Sequence, residues 1–248
     1  MPKFISGIIV ALILLALVFF LTQTFDKDPS STEESSSQTE ESSELPKNLG
    51  VIVLDAGHGG LDPGKVGIND VLEKDINLAI VLKLRPLLEA YGFTVHLTRD
   101  SDKILGPANS SRPKRDDMIA RVDMVKELHP YFTISIHQNS FPTPSVNGPQ
   151  VFYYKDSVES ATMAQIVQNS LNQYLNPQKK REPQANANYY LLTRTPTPTV
   201  IVECGFLSNP DEAALLATES YQQKVAEAVY MGIVSYYETN SQDQTPSE

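Results

Sequence analysis

Short apolar runs that end in polar or glycine-rich residues, with segments of helical spacing between them, predict a single α/β domain. Its core is a mostly parallel twisted sheet with helices on both faces. The runs are Val51-Ile52-Val53-Leu54, residues 132–136 and residues 199–202. A third observation sets the frame: residues 4–21 are almost wholly apolar and uncharged. A transmembrane helix is therefore expected to precede the domain, since about 20 apolar residues span the hydrocarbon layer.

The chain has 248 residues and divides by composition. Residues 1–25 read as a signal anchor. Leu21-Thr22-Gln23-Thr24 lacks a small-x-small cleavage pattern, which favours an uncleaved anchor and leaves release after signal cleavage as the alternative. Lys3 before the span directs everything after it to the outside of the cytoplasmic membrane. Residues 26–48 are rich in Ser, Thr and Glu, with no apolar periodicity, and read as a disordered linker spanning about 25–30 Å. Seven of its residues are acidic against Lys27 and Lys47, so it carries half of the net charge of −10. The folded part, residues 49–239, is only mildly acidic. It has no basic patch, which excludes the electrostatic footprint of a nucleic-acid binder. Residues 240–248 read as a disordered tail. The single cysteine, Cys204, rules out an internal disulfide.

Each element follows in order. Residues 51–54 are a buried strand. Ile76, Ile80, Leu84, Leu87, Leu88 and Tyr91 recur at helical spacing, and Gly92 closes the helix. Pro86 inside that pattern predicts a kink or an early break. Residues 93–98 alternate as a second strand. Residues 112–128 form an amphipathic helix, 132–136 a third strand and 150–154 a fourth. Residues 157–175 are helical, 189–192 a short strand, 199–202 another buried strand, and about 220–237 the last helix.

Chemistry-bearing residues stand at the ends of these elements. His58 lies in Asp55-Ala56-Gly57-His58-Gly59-Gly60, directly after the first strand, at the sheet edge where open α/β folds place ligands. Glu73 stands at the start of the first helix, where the positive end of the helix dipole favours an ionised carboxylate. His137 ends the Ile134-Ser135-Ile136 strand. Each residue alone has a plain structural reading, as a solvated turn histidine or a first-turn acid. Together they make a His₂Glu set, a recurring arrangement for one catalytic Zn²⁺ with an open coordination position. Glu203 ends the run Thr199-Val200-Ile201-Val202. A carboxylate there is costly unless it is paired or functional, which makes it a candidate for moving a proton between a metal-bound water and a leaving group. Cys204 points to the opposite side of its strand and reads as core. His96 and His129 read as structural.

These segments together resemble the zinc-dependent N-acetylmuramoyl-L-alanine amidases. That family's pattern is a Gly-His-Gly-Gly turn, a Glu at a helix start, a Ser-x-His-x-Asn segment and a Glu-x-Gly-Phe-x-Ser-Asn segment. All four stand here in order over about residues 50–238. The resemblance implies His58, Glu73 and His137 as zinc ligands and Glu203 as the catalytic acid/base. It also implies cleavage of the peptidoglycan amide between the lactyl group of N-acetylmuramic acid and L-alanine. Leu72-Glu73-Lys74-Asp75, Phe152-Tyr153-Tyr154 and Gly205-Phe206-Leu207-Ser208-Asn209-Pro210 are most similar to the spore-cortex, CwlD-type branch, which strips stem peptides so that muramic lactam forms. Relatives with an autoinhibitory helix insert it after the second histidine. Only Gln138 to Pro149 separate His137 from the next strand here, so an open site is expected unless a protein activator or other partner closes it.

Asn139 and Asp55 are expected to orient a ligand or contact substrate. Arg112, Arg115 and Arg121 read first as a solvated helix face; glycan or peptide contact, with Arg115 as the candidate, is the alternative. Competing functions are a vegetative amidase of daughter-cell separation, a non-catalytic wall-binding domain and a zinc carboxypeptidase. The last usually has a His-x-x-Glu pair, which His58-Gly59-Gly60-Leu61 lacks.

Overall fold

A computed structural model describes residues 48–107 and 109–242. The anchor of residues 1–25, the linker up to residue 47 and the tail beyond residue 242 lie outside the described residues. Among the described residues, no helix is long and apolar enough to cross a membrane.

The elements run β1 (Val51–Ala56), α1 (Glu73–Tyr91), β2 (Thr94–Leu97), α2 (Pro113–Leu128), β3 (Thr133–Asn139), β4 (Gln150–Tyr154), α3 (Val158–Tyr174), β5 (Gln184–Asn186), α4 (Tyr190–Arg194), β6 (Thr199–Phe206), α5 (Pro210–Leu216) and α6 (Glu219–Gln242). The six strands form one sheet in the order β2-β1-β3-β6-β4-β5. β2, β1, β3 and β6 are mutually parallel. β4 runs antiparallel to β6, and β5 is parallel to β4. The reversal has a simple cause. The connection from β3 to β4 contains no helix, and a parallel return needs a crossover of a dozen or more residues. The sheet is thus mixed at one side and parallel where the histidines stand.

Side-chain alternation divides the sheet into two unlike faces. Ile52, Leu54, Ile134, Ile136, Val200, Val202 and Cys204 belong to the main hydrophobic core. They are joined there by Ile76, Ile80, Leu84 and Leu88 of α1, Met163, Val167 and Leu171 of α3, and Val225, Val229 and Ile233 of α6. The intervening residues, Asp55, Ser135, His137, Ile201 and Glu203, lie on the other face, where α2 packs on β1 and α4 packs on β6. Helices therefore cover both faces, as the alternation of elements predicts.

Four details depart from the sequence reading. α1 runs unbroken through Pro86. Pro86 and Leu82, whose carbonyl loses its helical partner, are both on the solvent side, where that carbonyl is accessible to water. Residues 190–194 are helical rather than a strand. Their strand is replaced by β5, after which the Asn186 side chain accepts hydrogen bonds from the N–H groups of Asn188 and Tyr189 and turns the chain. α5 was not expected. Its signal is Asn209-Pro210: the Asn209 side chain caps the N–H groups of Asp211 and Glu212, and proline suits the first helical position. α6 extends to Gln242, beyond the helix end expected near residue 237.

Candidate metal centre

Strand register brings the predicted residues together. His137 on β3 is paired directly with Glu203 on β6. β1 ends next to β3, and the turn after it carries His58 in a left-handed conformation at φ 63°. Such a backbone is uncommon for a residue with a Cβ and persists only where the surroundings impose it. Here two buried guanidinium groups impose it. Arg121 donates to the carbonyls of Ala56 (2.8 Å) and His58 (2.7 Å), and Arg99 to those of Ala56 (2.9 Å) and Gly57 (3.0 Å). Three consecutive turn carbonyls are thereby held.

The ligating atoms of His58, Glu73 and His137 all lie within 4.8 Å of one another. Nε2 of His58 is 3.3 Å from one Glu73 oxygen and Nδ1 of His137 is 2.9 Å from the other. Glu73 also accepts the backbone N–H groups of Lys65 (2.8 Å) and Gln138 (3.0 Å). Burial alone would raise its pKa. The hydrogen bonds and charges of the two histidines outweigh that and hold it well below the usual carboxylate range. Burial works against charge on His58 as well, but Glu73 and Asp62 lift it to about 9.

The donor set fits a metal. Two imidazoles and a carboxylate suit zinc, whereas calcium and magnesium take oxygen ligands. The free nitrogen of His58, Nδ1, is 2.7 Å from Asp62, which is the usual outer support of a metal-binding histidine. A Cβ on Gly57 would overlap the His137 ring, and one on Gly64 would overlap Glu73 and His58, so both positions need glycine.

Glu203 stands beside this cluster, 9 % exposed. Its Oε2 is buried and has no hydrogen-bond partner among the described residues. Burial, helped by the charge of Glu73 and opposed by His137 and His58, pushes its pKa up to about 7. An orphaned carboxylate oxygen poised to gain or lose a proton near neutrality is what a general acid/base requires. Cys204 faces the apolar core, fully buried, and burial pushes its thiol pKa up. It does not join the site.

The remaining candidates separate. Asn139 lines the open groove with His58, Glu73, His137 and Glu203. Asp55 lies beneath, holding Thr98, Ser135 and Arg121. It supports the histidine turn from below. Arg115 is exposed and does not line the groove; its neighbour Lys114 does, paired with Asp62 at 2.6 Å. The reading of Arg121 as a solvated residue is overturned, because it is 1 % exposed and bonded on every side. Sequence reasoning missed Asp62, whose signal is its spacing four residues after His58. It also missed Arg99 and Tyr189, which carry no local signal. The connection between β3 and β4 holds no helix, and the groove above the cluster is open.

A triad able to hold a metal at the edge of a parallel sheet, next to a buried carboxylate oxygen without a partner among the described residues, is the kind of arrangement that metal-dependent hydrolases use. Residues 52–235 match the family model described as N-acetylmuramoyl-L-alanine amidase, and the chain belongs to that family. It is 37 % identical over 196 residues to the germination-specific N-acetylmuramoyl-L-alanine amidase of Bacillus subtilis, covering 78 % of this chain and 82 % of that protein. Among solved structures it is similar to the CwlD amidase of Clostridioides difficile in complex with the GerS lipoprotein. The identity is 39 % and the TM-score 0.74, over 77 % of this chain and 99 % of that one. It is also similar to the catalytic domain of the amidase CwlV from Bacillus (Paenibacillus) polymyxa, at 31 % identity and TM-score 0.67, covering 76 % and 98 %.

Proposed function

We propose that this N-acetylmuramoyl-L-alanine amidase works with one zinc ion held by His58, Glu73 and His137, uses Glu203 to move the proton, and acts on spore-cortex peptidoglycan. The observation that carries the mechanism is the direct pairing of His137 with Glu203, whose carboxylate is buried and partnerless. A zinc ion bound there supplies Lewis acidity to the scissile carbonyl and to nearby water. Glu203 takes a proton from the attacking water. It returns that proton to the alanine nitrogen as the amide bond breaks, leaving a lactyl carboxylate and a free amino terminus. Asn139 orients the substrate in the groove.

The spore-cortex role is supported by the name of the B. subtilis relative and by the likeness to CwlD. The GerS lipoprotein in that complex supports a protein partner for this chain too. The apolar segment at residues 4–21 supports a membrane tether that places the domain outside the cytoplasm.

Digestion of purified peptidoglycan tests this reading. New lactyl carboxylates with free N-terminal alanine are expected, lost on chelation and restored by zinc. Released C-terminal residues point instead to a carboxypeptidase, and an absence of products to a wall-binding domain. Turnover is expected to rise as pH passes through about 7, because Glu203 must be ionised to accept the proton.

A further inference from the structure

The three proposed ligands come from three elements, and the sheet ties only two of those together. β1 and β3 are paired, so the turn carrying His58 and the strand carrying His137 are held in register. Glu73 opens α1, and its place depends on how that helix seats on β1 and β3. Its carboxylate meets Nε2 of His58 and Nδ1 of His137. These are the nitrogens turned toward Glu73, and hence the ones a bound metal would claim. They do not fix the carboxylate in a loaded site. Among the described residues three other donors reach it: the backbone N–H groups of Lys65 and Gln138, and the side-chain amide of Asn77.

We propose that Asn77 is a positioning residue of the metal centre, a buried amide that fixes the Glu73 carboxylate against the two histidine-bearing segments. The inference rests on the zinc amidase reading and adds what holds the third ligand. Asn77 follows Glu73 by one helical turn and is fully buried. Its Nδ2 lies 3.4 Å from Glu73 Oε1 and 3.1 Å from the carbonyl of Gly57, the residue before His58. Its Oδ1 accepts from Nε2 of Gln138, the residue after His137, at 3.1 Å. One amide thus joins the neighbourhoods of all three ligands. Burying an amide is costly unless its hydrogen bonds are made, and every bond of this one ends on a ligand or beside one. Gln138 shows how strictly the tie is kept. Its Oε1 is buried without a partner among the described residues. Turning that amide over would set its oxygen against Oδ1 of Asn77, so the orphan is the cost of orienting Asn77 toward Glu73.

The test compares full-length wild type, Asn77→Leu, the double variant Asn77→Leu with Gln138→Met, and Leu88→Ala. Zinc affinity is read by competition with a chelating dye, fold by zinc-free melting temperature, and ligand geometry by the visible spectrum after cobalt(II) substitution. Both Asn77 variants should bind zinc about 10–100-fold more weakly, with cobalt bands changed in position or intensity. The double variant removes both amides and leaves an apolar pair of similar shape, so its zinc-free form should melt close to wild type even where Asn77→Leu alone does not fold. Leu88 is buried near the far end of α1 and touches none of these bonds. Leu88→Ala should melt lower yet keep wild-type zinc affinity and cobalt bands. Unchanged affinity and bands in the Asn77 variants overturn the positioning role and leave the amidase reading standing. An equal loss of affinity in Leu88→Ala overturns it too, because helix docking alone then sets the site. A wild type that takes up no zinc overturns the metal reading itself, and the tie falls with it.

Discussion

The two faces of this sheet are made by the same strands and obey opposite rules. On one, Ile52, Leu54, Ile134, Ile136, Val200 and Val202 lock against α1, α3 and α6, all buried and apolar. On the other, Asp55, Ser135, His137 and Glu203 alternate with them, and α2 contributes Arg121 rather than a leucine. The apolar face needs only shape and volume. The polar face must satisfy every donor and acceptor, because an unpaired buried charge costs several kcal/mol. Among its charged groups Glu203 is an exception, with a buried Oε2 that has no hydrogen-bond partner among the described residues. The difference teaches that neighbours in one strand answer to different selections, stability for one and chemistry for the next.

The sharpest break in this contrast is at Glu203. Glu203→Gln should lower turnover by about 10²–10⁴-fold while zinc content and melting temperature hold; full retained activity removes its assigned role. Next is Arg121→Met, which strands Asp55 and Asp117 on the polar face. It should cost about 3–5 kcal/mol in denaturant unfolding. Ile134→Ala on the apolar face should cost about 2–5 kcal/mol by the same measurement, yet leave kcat of the folded fraction unchanged. A large kcat effect there means the faces are not independent.

The smallest effect is a pH slope. Burial would raise the pKa of Asp55, but Arg121, His137 and the Ser135 and Thr98 hydroxyls bring it down to about 2 from an ordinary 3.8. A carboxylate depressed in the folded state contributes stability that is full above the unfolded value and is lost as pH falls through the folded one. The wild type should therefore lose about 2 kcal/mol between roughly pH 4 and pH 2, and Asp55→Asn should flatten that decline.

The apolar face was legible in the sequence, because its period of two within strands and near 3.6 within helices is local. The ends of strands were legible too, and with them His58, Glu73, His137 and Glu203. What was hidden depends on long-range approach. Arg121 carries helix-surface spacing, and only the proximity of β1 turns it into a structural clamp. Arg99 looks like any residue after a strand until the carbonyls of Ala56 and Gly57 meet it. The 190–194 segment was misread because its buried pair, Leu191 and Leu192, is adjacent in sequence. A short apolar run of that kind fits a strand or a helix equally well, and only the Asn186 turn decides.

The helix-free connection from β3 to β4 has a consequence for how this chain can change in length. Adding one residue between Ile134 and His137 would rotate every later side chain of β3 to the wrong face, and the site would be lost at a stroke. The connection beside it, Ser140 to Pro149, has no such constraint. Doubling a flexible loop costs only about 0.6 kcal/mol in closure entropy. Ser140 lines the groove, so whatever is inserted there grows out over the site. Insertions that are lethal in β3 become, a few residues later, a cheap way to cover or regulate the same chemistry.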